Sequence, residues 1–120
     1  GFIGVTMFTP FLRRGPESDM EDYIEAMEYV INIAGEDAVG IGTDFTQGYG
    51  DEFMEWITRD KGYARRLTEF GTVKFPDGFS TIGDFPNLTQ GMENVGWSEN
   101  RIRKIIGENW VRVLEDIWGH

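Results

Sequence analysis

Apolar positions at the start of the chain form one continuous run, Phe2-Ile3-Gly4-Val5-Thr6-Met7-Phe8, halted by Thr9-Pro10. A run of that length closed by proline predicts a buried strand, and its abrupt start predicts that the chain opens inside a fold. After a polar loop containing Gly15-Pro16 the period changes. Met20, Tyr23, Ile24, Met27, Val30, Ile31 and Ala34 recur at steps of three and four, which lays one apolar stripe along one face of a helix. Ser18 and Glu21 have the spacing of a capping box at its start, and Gly35 supplies a left-handed stop. A second apolar run, Ala38-Val39-Gly40-Ile41-Gly42-Thr43, is short, partly β-branched and slim, as expected of a strand packed closely on both faces. Strand, helix and strand in that order make a right-handed β-α-β unit with parallel strands, so the fold class is α/β.

The middle of the chain is less periodic. Phe53 to Thr58 reads as a short helix, Gly62 interrupts it, and Tyr63 to Phe70 reads as another. The loop from Gly71 to Pro86 is long for a compact domain; such loops serve as lids or rims of sites, or simply connect elements across the surface. In the last third, Asn87 with Gln90 is placed to cap a helix that ends at Gly96, and Ser98 to cap the next. Ile102, Ile105, Ile106, Trp110, Val113, Leu114 and Ile117 continue at helical spacing. Gly107 is expected to bend or break this helix, with Asn109 as the new cap. The chain therefore divides into a β-α-β unit with its exit loop (1–49), an irregular middle (50–86) and a helical end (87–120).

Charge narrows the function classes. With 11 basic and 21 acidic residues the formal net charge is -10, which disfavours nucleic acid and anionic membrane surfaces as partners. The pairs Arg13-Arg14 and Arg65-Arg66 read as solvated surface or as carboxylate partners. No stretch is long and apolar enough to span a bilayer, and no signal peptide opens the sequence. Cysteine is absent and the single histidine is His120, so disulfides, thiolate metal sites and histidine-based triads are not expected from these residues. Chemistry, if this chain carries any, falls to carboxylates.

One carboxylate is well placed. Asp44 follows the second strand directly, at the C-terminal end where barrel enzymes carry catalytic groups; it could equally cap the turn into the Gly-rich loop Gln47-Gly48-Tyr49-Gly50-Asp51. Competing motifs fail. A dinucleotide fingerprint needs glycine three positions after Gly42, where Phe45 stands, and a calcium loop from Asp44 meets Gly48 and Gly50 where oxygen ligands belong.

Gly40-Ile41-Gly42-Thr43-Asp44-Phe45 resembles the last barrel strand of the membrane dipeptidase (renal dipeptidase) family of zinc peptidases, where a Gly-x-Gly-Ser/Thr/Gly-Asp-Phe segment carries an active-site aspartate. Phe2 to Leu12 resembles the family's preceding strand and its aromatic exit. Phe85-Pro86-Asn87-Leu88-Thr89, Gly96-Trp97-Ser98 and Ile105-Ile106-Gly107-Glu108-Asn109-Trp110-Val111-Arg112-Val113-Leu114 resemble its C-terminal helices. The resemblance covers nearly the whole chain but only the C-terminal part of the family's barrel. It departs at Thr46, where many members have a second aspartate, and at Phe11, where some carry a tyrosine near the substrate; Gly50 to Gly71 looks like an insertion.

The resemblance implies the C-terminal part of a (β/α)8 TIM-type barrel and a zinc-dependent dipeptidase using two ions. Their ligands, a His-x-Asp, a bridging glutamate and two histidines, are expected upstream of Gly1, and none from this chain. It also implies that Asp44 takes the proton of an attacking water activated by those ions and passes it to the leaving amine. Phe8 and Phe11 are expected to border the pocket for a dipeptide substrate. The chain alone is expected to be inert and to self-associate as a homo-oligomer through its two strands. The alternative is an independent, non-catalytic α/β interaction module that self-associates.

Overall fold

The computed structural model describes residues 1–45, 48, 50–60, 65–66 and 73–119, with backbone alone for 60, 65 and 66. Strand β1 (Ile3–Thr6), helix α1 (Met20–Ala34) and strand β2 (Val39–Gly42) form the expected unit. β1 and β2 pair in parallel, Ile3 opposite Val39 and Thr6 opposite Gly42. On one sheet face Val5, Val39 and Ile41 join Tyr23, Ile24, Met27 and Ile31 of α1 in the core. Helix α3 (Phe85–Asn94) closes over α1 with Leu88 and Met92. The close approach requires Gly91, where a Cβ would lie 2.8 Å from the Met20 sulfur.

The opposite face carries Gly4, Gly40 and Gly42, with Thr6 at its end. A Cβ on Gly40 would fall 2.6 Å from the Phe2 ring and 2.9 Å from the Trp110 indole nitrogen. These slim positions let Trp110, from α5 (Asn109–Trp118), lie on the sheet and donate from Nε1 to the Ile41 carbonyl at 2.8 Å. Asn109 donates from Nδ2 to the carbonyls of Glu36 and Val39, both at 2.8 Å. The C-terminal helix is thus tied to β2 through the strand's own carbonyls.

Several local expectations change. The capping box of α1 is Asp19 with Asp22, one residue later than Ser18 with Glu21, because carboxylates at both positions satisfy the orphan amides reciprocally. Asn87 does not cap α3; it lies inside the helix and donates to the Gly78 carbonyl at 2.8 Å, while Thr81 and Asp84 form the capping box just before. Ser98 does cap α4 (Glu99–Arg103). Gly107 does not break the following helix, which runs through a π turn (Lys104–Glu108) straight into α5, so Asn109 is no cap and its amide serves β2 instead. In the middle, α2 spans Asp51–Ile57, and Arg65–Arg66, expected in a helix, pair antiparallel as β4 with β3 (Arg59–Asp60). The rest of that expected helix, Thr46, most of the loop at 47–49, and His120 lie outside the described residues. β1 is less enclosed than its apolar run predicts: Ile3 is 45% exposed, since the described residues offer no third strand beside it.

Candidate active site

A parallel ladder ending at Thr6 and Gly42 releases both following segments at one edge. Asp44 lies two residues past β2 and Phe8 two residues past β1, so the register brings them to the same mouth. Asp44 is exposed and has φ 58°, the left-handed region, alone among the described non-glycine residues. Aspartate enters that region more readily than most side chains, but such backbone still costs roughly 1–3 kcal/mol and persists only where its surroundings dictate it.

Those surroundings are visible on both sides of Asp44. Phe45 donates its amide to Thr43 Oγ1 at 3.4 Å, and its ring meets Phe75 and Phe79 edge-on, centroids 5.0 and 5.2 Å away. Phe79 is fully buried, stacks on Tyr23 at 6.1 Å and meets Phe85 edge-on at 5.6 Å. The Tyr23 hydroxyl, also fully buried, donates to the Val5 carbonyl at 2.7 Å, next to the Thr6–Gly42 rung that ends the ladder. Burial pushes the phenol well above its ordinary range, so the hydroxyl keeps its proton and acts as a structural donor.

The β1 side of the mouth is built similarly. Phe8, buried, meets the exposed Phe11 edge-on at 5.1 Å on a 3₁₀ turn (Thr9–Phe11) started by Pro10. Fully buried Thr9 donates from Oγ1 to the Lys74 carbonyl at 2.7 Å, which ties this exit to the same 73–79 segment that packs on Phe45. Further along, Asp22 is buried and accepts from Arg14 Nε at 2.7 Å, with Arg13 3.5 Å away. The Arg14 guanidinium, opposed by desolvation and helped by the Asp19 amide, holds the Asp22 carboxyl below the usual range. The Arg13-Arg14 pair is therefore a carboxylate partner.

Periodicity places Tyr23 in the core stripe but says nothing of its hydroxyl; Tyr23 carries the one polar tip in that stripe, and a buried tyrosine hydroxyl needs a partner, so that signal was available. Phe79 and Thr9 sit in irregular segments where no period marks the buried positions.

A cleft of about 730 Å³ opens at the other end of β2 among Glu36, Asp37, Lys104, Glu108 and Arg112. Its charges are paired internally, Lys104 lying 2.8 Å from Asp37 and 3.2 Å from Glu36, so it reads as an ion-pair network. Among the described residues no group of three or more His, Cys, Asp or Glu is arranged to hold a metal ion. These residues do not fit a metal centre.

Two parallel strands joined by a crossover helix, with a carboxylate at their C-terminal mouth, make an α/β unit of the kind that (β/α)8 barrels repeat. The model for the membrane dipeptidase family (peptidase family M19) matches residues 1–64 and 67–118, and the chain belongs to that family. An amidohydrolase from Pseudomonas aeruginosa, known from its crystal structure, is 62% identical with a TM-score of 0.94, and the chain covers 37% of it while matching along its own full length. A Rhodobacter sphaeroides metallopeptidase, liganded with a phosphinate mimic of the dipeptide L-Ala-D-Ala, is 28% identical with a TM-score of 0.65, 96% of this chain matching 27% of it. The Klebsiella pneumoniae protein named "Uncharacterized protein in pqqA 5'region" is 25% identical over 98% of this chain and 36% of its own length. The chain thus spans between 27% and 37% of the length of these relatives. Dipeptidases of this family are TIM-barrel metallopeptidases, typically of zinc, and the paired strands here are part of such a barrel.

Proposed function

We propose that this chain is the C-terminal segment of a zinc dipeptidase that hydrolyses the peptide bond of dipeptides, and that Asp44 is its proton-transfer residue. The observation that carries this is Asp44 itself, exposed in a left-handed conformation at the strand mouth. The dipeptide mimic bound by the Rhodobacter sphaeroides relative supports the substrate class. In this reading the Asp44 carboxylate accepts a proton from the attacking water and delivers it to the amine as the C–N bond breaks, so one group is base and then acid. Phe8 and Phe11 form an apolar border for the substrate. The two zinc ions of the complete enzyme are held by residues outside this chain, and the segment alone is inactive. Residues 1–49 carry the catalytic loop, 50–86 an insertion and rim, and 87–120 the closing helices.

Asp44→Asn in the complete enzyme tests the assignment. Asparagine also tolerates the left-handed backbone but accepts no proton, so kcat for a dipeptide is expected to fall about 10²–10⁴-fold with metal content unchanged. Near-normal turnover with both metals bound removes Asp44 from the mechanism.

A further inference from the structure

We propose that Tyr23 and Phe79 are positioning residues that clamp the Asp44 loop from both sides and so hold Asp44 in its left-handed conformation. This rests on the proton-transfer reading of Asp44. Gly42, two residues before Asp44, pairs with Thr6 in the last rung of the ladder, and the Tyr23 hydroxyl anchors that rung by donating to the adjacent Val5 carbonyl. The residue after Asp44, Phe45, is held edge-on by Phe79. Phe79 in turn stacks on the Tyr23 ring, so one buried pair controls both flanks of a single exposed carboxylate.

The arrangement explains a costly backbone angle. With Gly42 tied to the ladder and Phe45 pinned in the aromatic cluster, residue 44 cannot relax toward extended or helical backbone without breaking one anchor. Neither Tyr23 nor Phe79 needs to touch substrate; each acts by fixing where the carboxylate stands. Misplacing a catalytic group by about 1 Å can cost on the order of 10²-fold in rate.

A double-mutant cycle in the complete enzyme separates this role from plain core packing. Tyr23→Phe keeps the ring on Phe79 and removes only the hydroxyl, while Phe79→Leu keeps apolar volume and removes the edge contact. Each is expected to lower kcat for a dipeptide about 10- to 10²-fold with little change in KM. In an Asp44→Asn background neither should lower turnover further, since a residue that works through the carboxylate has nothing left to position. Wild-type kcat in Tyr23→Phe, or the same fold-loss with and without Asp44, overturns the clamp. If Phe79→Leu does not fold, Tyr23→Phe alone decides. Asp44→Asn by itself reports on the underlying assignment: its turnover collapsing while Tyr23→Phe stays fully active sinks the clamp and leaves the assignment standing.

Discussion

At the scale of single residues, two glycines illustrate how differently the same side chain can be used. Gly40 lies where a methyl group would press into the Phe2 ring and the hydrogen-bonded Trp110 indole. Gly40→Ala in the complete protein should therefore cost about 1–3 kcal/mol by overpacking. Gly107 sits in a helical turn with nothing within 4 Å of its would-be Cβ, so Gly107→Ala should stabilise by roughly 0.5–1 kcal/mol through lower unfolded-chain entropy. Denaturant midpoints of the two variants check both signs; equal effects would mean that Trp110 moves aside freely. The slimness of the Gly40-Ile41-Gly42 run was readable beforehand as close packing. Its partner was not, because Trp110 lies seventy positions away and meets Gly40 only through the fold.

Among the elements, α1 is the one whose anchoring depends most on charge. Asp19 and Asp22 cap its first turn, and Arg14 pairs with both. Asp19→Ala removes the N-cap acceptor, which typically costs about 1 kcal/mol. Asp22→Ala strands the Asp19 amide and leaves the Arg14 guanidinium with Asp19 alone, and hydrogen bonds to charged groups contribute about 1.5–3 kcal/mol. Because the folded Asp22 carboxyl titrates below its unfolded value, its contribution is fully present above the ordinary carboxylate range and is lost as pH falls through the depressed value. Glu36, held down by Arg101 and then Lys104, adds to the same limb. Stability should consequently decline below about pH 4, and Asp22→Asn should flatten that decline; an unchanged acid limb would show that the pairing contributes nothing. The helix was legible from its stripe, but its first residue was not. Ser18 and Asp19 are both good caps, and the choice fell to Asp19 when Arg14 folded back onto the turn.

For the molecule as a whole, the radius of gyration of 16.0 Å exceeds the ~14 Å typical of a compact domain of this length. Apolar groups stand uncovered: Ile3 at 45%, Val111 at 55%, Ile117 at 68% and Trp118 at 77% exposure. The isolated chain should therefore self-associate as concentration rises, with burial outweighing a charge that is screened beyond roughly 8 Å at physiological ionic strength. Light scattering across a dilution series tests this, and a well-folded monomer at high concentration would favour the independent-module alternative. Calorimetric titration of the same chain with zinc should show no tight site; submicromolar binding at defined stoichiometry would contradict that.

What the sequence determined by itself is local and periodic. Apolar runs and a 3.6-residue stripe specify strand, helix and strand, and crossover handedness makes those strands parallel, so Asp44 and Phe8 leave the sheet at one edge whatever surrounds them. The short-range pattern of Gly40 to Phe45 placed Asp44 at the exit of the second strand, where the structure has it. What only the tertiary structure decided is how that loop is held. Tyr23 on a helix, Phe79 in an irregular segment and Trp110 near the end of the chain converge on the two-strand ladder and its exit. Their contacts arise from packing between positions far apart in sequence, and no local period encodes such packing.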